Sequence, residues 1–146
     1  MKSKPGTYAI IFKNDCTANV QIGQWGQIKI KPGYYIYVGS AFGGGGVRAR
    51  VLHHYRRNKH NHWHIDYLRE FMNPGIVWYT HEINHLEHKW ANSFNKMKAI
   101  SAIPRFGCSD CKCYSHLFYS SNKPDLDIFI NRVGGEVYSW SKKTTG

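Results

Sequence analysis

Between Tyr37 and His54 the sequence YVGSAFGGGGVRARVLHH sets a phenol, a guanidinium and an imidazole around one glycine-rich turn. Groups of these kinds position phosphate and move its protons. Tyr37 and Gly39 share one face of an alternating run. Its β-branched and aromatic residues, Tyr34 to Val38 between Pro32-Gly33 and Gly39, predict a strand. Gly43 to Gly46 predict a mobile connection, because glycine loses the most backbone freedom on ordering. From Val47 the period becomes helical: Val47, Val51 and Tyr55 form an apolar stripe, and Arg50 and His54, four apart, stack along its edge. The same spacing also suits a strand-turn-helix whose basic face is only solvated surface.

These residues stand in a pattern that resembles the GIY-YIG nuclease superfamily. Gly6-Thr7-Tyr8 occupies the place of the first tripeptide and Tyr37-Val38-Gly39 that of the second, followed by Ser40-Ala41, Arg50 and His54. Among the branches of that superfamily the chain is most similar to the small stand-alone proteins of the DUF123 family. That similarity rests on Tyr-Val-Gly-Ser-Ala, on Trp63-His64-Ile65-Asp66-Tyr67-Leu68, and on the block from Phe106 to Leu117. The two tyrosines are separated by a longer insert than in the minimal nucleases.

The resemblance implies a metal-dependent endonuclease that hydrolyses phosphodiester bonds, with DNA ahead of RNA as substrate. It implies a catalytic set of Tyr8, Tyr37, Gly39, Arg50, His54 and Glu87. Tyr8 would act as general base or orient the attacking water. A free phenol has a pKa near 10, so this needs positive charge nearby, from Arg50 or the metal. Glu87 would hold one Mg²⁺ or Mn²⁺, offsetting charge on the leaving oxygen. Tyr37 and His54 would shape the site, and Arg50 would stabilise charge developing on the phosphate. The superfamily often adds an asparagine after the glutamate; here Ser109 and Asp110 are the candidates to replace it.

Glu87 also stands out on pattern. Ile83, Leu86, Trp90 and Phe94 predict a helix over Glu82 to Phe94, and stepping ~100° per residue puts Glu87 inside that apolar face. A buried carboxylate is costly unless it meets a cation, a metal or hydrogen-bond donors. A salt bridge to Arg50 and a metal site therefore both fit.

Twenty Lys and Arg against nine Asp and Glu give 146 residues a formal charge of +11, which favours a polyanionic partner. Nucleic acid is the leading class, with Arg48, Arg56, Arg57 and Lys59 as the expected contacts. No apolar run approaches spanning length and no signal-peptide core opens the chain, so no membrane is expected and a cytoplasmic, soluble protein is. The rival class is a nucleic-acid-binding module on a nuclease fold with little or no catalysis. Tyr8, Arg50 and Glu87 separate the two, because binding alone needs no acid in an apolar face.

The four cysteines include Cys108, Cys111 and Cys113 in one cluster, with His116 next; these could ligate zinc or close the core as small thiols. A zinc-stabilised interaction domain would follow from the first alternative. Three histidines, His60, His62 and His64, invite a metal as well, but no strand pattern holds them in line.

The length suits one domain over residues 1–146. Its supporting elements are strands at Gly6 to Phe12, Gly75 to Thr80 and Ser115 to Ser121, helices at Trp63 to Met72 and Pro124 to Val133, and a hairpin of Asn19 to Gln24 with Gln27 to Lys31. The tail after Tyr138 reads as polar and frayed. The expected fold is α/β in the α+β sense: a central, mostly antiparallel sheet flanked by helices, with the extra hairpin inserted between the two motif strands. That hairpin should leave the Tyr8 and Tyr37 strands side by side.

Overall fold

The computed structural model describes residues 1–56, 64–106 and 115–142. The apolar run Gly6–Asn14 forms β1, and its alternation feeds two cores at once: Tyr8, Ile10 and Phe12 enter one, Ala9 and Ile11 the other. A strand buried on both faces needs a layer on each side. The hairpin of β2 (Ala18–Ile22) and β3 (Gly26–Ile30) forms its own two-stranded sheet and contributes Val20, Ile22, Ile28 and Ile30 to the Tyr8 side. The chain then returns through β4 (Gly33–Ala41) to lie antiparallel beside β1. The hairpin insert thus leaves the two tyrosine strands adjacent, as its length and patterning predict.

After β4 come α1 (Gly46–Tyr55) and the short α2 (His64–Leu68), whose Val47, Val51, Ile65 and Leu68 seal the same face as the hairpin. The opposite face is closed by α3 (Glu87–Asn95) and α4 (Leu126–Val133) through Trp90, Phe94, Phe129 and Val133. Phe94 stacks on Phe129 with ring centroids 4.5 Å apart, and burying each ring contributes about 1.5–3 kcal/mol. β5 (Asn73–Thr80), the two-residue β6 (Ser101–Ala102), β7 (Leu117–Ser120) and β8 (Tyr138–Ser141) complete a six-stranded sheet. Its order is β6-β7-β4-β1-β5-β8, and every neighbouring pair is antiparallel. This is the α+β architecture expected. Among the described residues no helix is long and apolar enough to cross a membrane.

Several boundaries differ from the sequence expectation, each for a local reason. β4 runs on through Gly39 to Ala41, because β1 offers partners as far as Gly6. Gly43 to Gly46 form a defined turn: Gly46 donates to the Gly43 carbonyl at 3.3 Å and takes φ 62°, which a side chain would oppose. The second helix is one short turn and a half, although helical bonding continues through Arg69 and Met72, whose amides donate to Ile65 and Leu68. α3 starts at Glu87, not Glu82; Ile83, expected in its apolar stripe, is 84% exposed. The tail is not frayed at Tyr138: residues Tyr138–Ser141 pair with Ile76–Tyr79 of β5. For the fourth helix Asp125 is the cap, accepting from the amides of Asp127 and Ile128.

Candidate functional site

Register decides what meets. Tyr8 lies opposite Gly39 and Ile10 opposite Tyr37, so both tyrosines project from the sheet face that α1 covers. A Cβ on Gly39 would stand 2.5 Å from the Tyr8 ring, so only glycine lets that ring cross β4. From above, α1 lowers the buried His54 onto the pair. Its Nε2 is 3.0 Å from the Tyr8 hydroxyl, and the Tyr37 ring meets it edge-on with centroids 5.7 Å apart.

Behind His54 stands Asp66 of α2, 1% exposed, with Oδ1 3.8 Å from His54 Nδ1 and Oδ2 3.7 Å from His53 Nε2. A carboxylate on that side favours the proton on Nδ1, which leaves Nε2 to accept from the phenol. Arg69, 6% exposed, donates from Nε to His54 O at 2.9 Å and from its terminal nitrogens to Tyr55 O at 3.2 Å and Met72 O at 2.9 Å. It thereby satisfies carbonyls that the end of a helix leaves without partners, and fixes the backbone that carries His54.

Burial pushes the Tyr8 phenol well above its ordinary pKa of 10.0, and the neighbouring Tyr37 adds to this. The Arg50 guanidinium, close enough to hydrogen-bond to Tyr8, pulls the other way without prevailing. Tyr37 is raised too, by burial first and then by Glu87, again against Arg50. Neither phenol is therefore ionised in the resting protein at neutral pH. The His54 imidazole, with Nε2 3.0 Å from the Tyr8 hydroxyl, is placed within reach of the phenolic proton.

The sign of this shift gives a stability prediction. Unfolded phenols ionise near pH 10, while Tyr8 and Tyr37 stay neutral in the fold until higher pH. Their contribution is complete below about pH 10 and is lost as pH rises toward the folded values. Urea midpoints from about pH 9 to about pH 11 should fall more steeply for wild type than for Tyr8→Phe or Tyr37→Phe; parallel curves would contradict the assigned burial.

Glu87 opens α3 in its first turn, where the helix dipole favours an acid. Arg50, one of the partners that the sequence allows for it, donates to the Ser40 carbonyl at 3.3 Å. The Glu87 carboxylate has Oε1 3.0 Å from His116 Nδ1 and accepts the Ser40 hydroxyl on Oε2 at 3.1 Å, with 26% of the side chain exposed. Burial pushes its carboxyl up, but the hydrogen bond and charge of His116, then Ser40 and His88, outweigh that and hold it below the ordinary 4.5. The result is an ionised, partly open hard-oxygen ligand whose field reaches Tyr37 and Tyr8. Such a ligand fits Mg²⁺ or Mn²⁺, which take one or two protein carboxylates and complete their shells with water and substrate phosphate. Among the described residues no cluster of three or more His, Cys, Asp or Glu could hold a metal by itself.

Of the expected nucleic-acid contacts, Arg48 and Arg56 are exposed on and just beyond α1, while Arg57 and Lys59 lie outside the described residues. So do His60, His62, Ser109, Asp110 and three members of the expected zinc set, Cys108, Cys111 and Cys113. The fourth, His116, turns Nδ1 to Glu87 and, at 3.4 Å, to the Val38 carbonyl.

Sequence reasoning missed Ser40, Asp66 and Arg69. Arg69 carried a signal: it follows Ile65 by four and precedes Met72 by three, so it falls within that apolar stripe and had to find buried acceptors.

The arrangement defines a class: an α+β protein in which a buried tyrosine of a central antiparallel strand meets a histidine of α1 backed by an aspartate of α2, with an arginine and an ionised glutamate acting on the same phenol. The chain belongs to the DUF123 family, described as a domain of unknown function, which it matches over residues 7–138. No curated protein and no solved structure matches it.

Proposed function

We propose that this protein is a metal-dependent endonuclease of the GIY-YIG type, hydrolysing phosphodiester bonds in nucleic acid, DNA ahead of RNA. The observation that carries the proposal is the buried hydrogen bond between Tyr8 and His54, 3.0 Å long, placed beside Arg50. A surface that only grips phosphate needs cations and has no use for a phenol coupled to a buried imidazole.

Arg50 binds the scissile phosphate and stabilises the charge that grows on its oxygens. A water oriented by the Tyr8 hydroxyl attacks phosphorus; as its proton passes to Tyr8, the phenolic proton passes to His54 Nε2, so no free phenolate is required. Asp66 stabilises the imidazolium that results. The leaving alkoxide departs as the phosphorus–oxygen bond breaks. A divalent ion held by Glu87 would offset the negative charge on that oxygen.

Binding and cleavage are tested with labelled single-stranded, duplex, branched and flap DNA and the corresponding RNA. Affinity should fall steeply with salt, since each neutralised phosphate releases counterion. Arg48→Gln should weaken binding evenly across sequences and lower the salt slope by about 1. Mg²⁺ or Mn²⁺ should support cleavage that chelator abolishes. No measurable affinity for DNA or RNA at low salt would overturn the proposal.

A further inference from the structure

Tyr8 is one member of a row. Across the sheet Gly39 pairs with Tyr8, Tyr8 with Tyr79, and Tyr79 with Tyr138, so all four positions share one face. With strands about 4.8 Å apart, the row carries the chain's aromatic surface roughly 10 Å from Tyr8 to the sheet edge. There it enters a pocket of about 510 Å³ between β5, β8 and the N-terminal segment, lined by Lys2, Lys4, Tyr79, His81, Glu82 and Tyr138 among others. The segment is held in place: Lys4 O and Lys2 O accept the Val47 and Arg48 amides of α1, and the Lys2 amide donates to His81 Nε2 at 3.1 Å. Tyr138 is 48% exposed, packs on Tyr79 with ring centroids 5.7 Å apart, and is steadied by donating its hydroxyl to Glu136 at 3.1 Å.

We propose that this pocket is a nucleotide subsite that receives an unpaired base on Tyr138, a site additional to the phosphate site at Arg50. It rests on the nucleic-acid reading above and names the substrate class: strands with at least one unstacked nucleotide near the cleaved bond. The volume is right for such a unit, within the range of small-ligand pockets. The charges in its lining suit a neutral base. Two acids, Glu82 and Glu136, and two bases, the exposed Lys2 and Lys4, line the pocket together, so its charge is balanced for a neutral group while the lysines can attract a phosphate at its rim. A neutral base therefore goes in, with its backbone at the lysines. A half-exposed tyrosine ring, backed by a second ring, offers the face on which a base stacks regardless of sequence. A base inside a duplex already has both faces covered by its neighbours and cannot take that place.

Tyr138→Ala and Tyr138→Phe are the variants, with Tyr138 at an exposed sheet edge and outside the proposed catalytic set. Binding is measured without divalent metal, by fluorescence of 2-aminopurine in a single-stranded DNA and by anisotropy for single-stranded and fully duplex DNA, with urea midpoints as a folding control. The expected result is a loss of about tenfold or more in single-strand affinity for Tyr138→Ala, the order of one lost stacking partner. Tyr138→Phe should bind nearly as wild type, 2-aminopurine should lose its quenching in Tyr138→Ala alone, and duplex affinity should be unchanged. Equal single-strand affinity in wild type and Tyr138→Ala overturns the subsite while leaving nucleic-acid binding intact. Absence of binding by any nucleic acid overturns both. Base stacking without metal-dependent cleavage would keep the subsite and remove the endonuclease.

Discussion

Tyr8→Phe should lower the cleavage rate by about 10²- to 10⁴-fold, the range for loss of a positioned proton-transfer group, with nucleic-acid affinity close to wild type. Affinity survives because Arg50, Arg48 and Arg56 are untouched and the ring still fills the space over Gly39. The rate falls because the substitution removes the hydroxyl that lies 3.0 Å from His54 Nε2. A stability cost accompanies it: the buried imidazole nitrogen loses its partner, which costs about 1–3 kcal/mol. Cleavage must therefore be compared at a temperature where both proteins are folded. His54→Gln should bring a similar loss, and the double variant little more than either alone, since two groups that pass one proton act as a unit. Additive losses would show that Tyr8 and His54 act separately, and a wild-type rate for Tyr8→Phe would remove the tyrosine from the chemistry.

That chain of residues was only partly legible in the sequence, and the division has a physical basis. Strands carry their own signal when one face or both are buried, so β1 and β4 could be read from alternation, and their pairing brought Tyr8 and Tyr37 together despite the inserted hairpin. Helical periodicity is weaker over short spans. Ile83, Leu86, Trp90 and Phe94 have helical spacing, yet the helix begins only at Glu87 and leaves Ile83 in solvent; Glu87 nonetheless precedes the buried Trp90, Ala91 and Phe94 by three, four and seven, and so shares their face. What the spacing did not supply is its partner His116, a contact between residues 29 apart that no local pattern encodes. Asp66 was hidden for the same reason: its importance lies in the approach of α2 to α1. β8 was missed because an edge strand buries little, and Tyr-Ser-Trp-Ser alternates without being apolar.

Glu87→Gln should abolish metal-dependent cleavage, by about 10²- to 10³-fold for an electrostatic group of this kind, while binding to nucleic acid without metal persists. The amide keeps the shape of the side chain and loses the charge that would hold the ion. The structural consequence separates this from an ion pair that merely supports the fold. Removing one partner of a fully buried pair costs about 3–5 kcal/mol, but Glu87 is 26% exposed and its partner is His116, to which an amide oxygen can still accept. The melting loss should therefore be small. Its pH dependence has a definite sign. The folded carboxyl lies below its ordinary value, so the contribution is present above about pH 4.3 and is lost as pH falls through the folded value. The difference in melting between wild type and Glu87→Gln should accordingly close as pH falls through the folded carboxyl's range and be larger above it. Retained cleavage would take Glu87 out of the mechanism. A melting loss as large as that of a broken buried pair would reassign it to holding α3 against the end of β7. Small structural loss with cleavage gone is the outcome that a metal ligand requires.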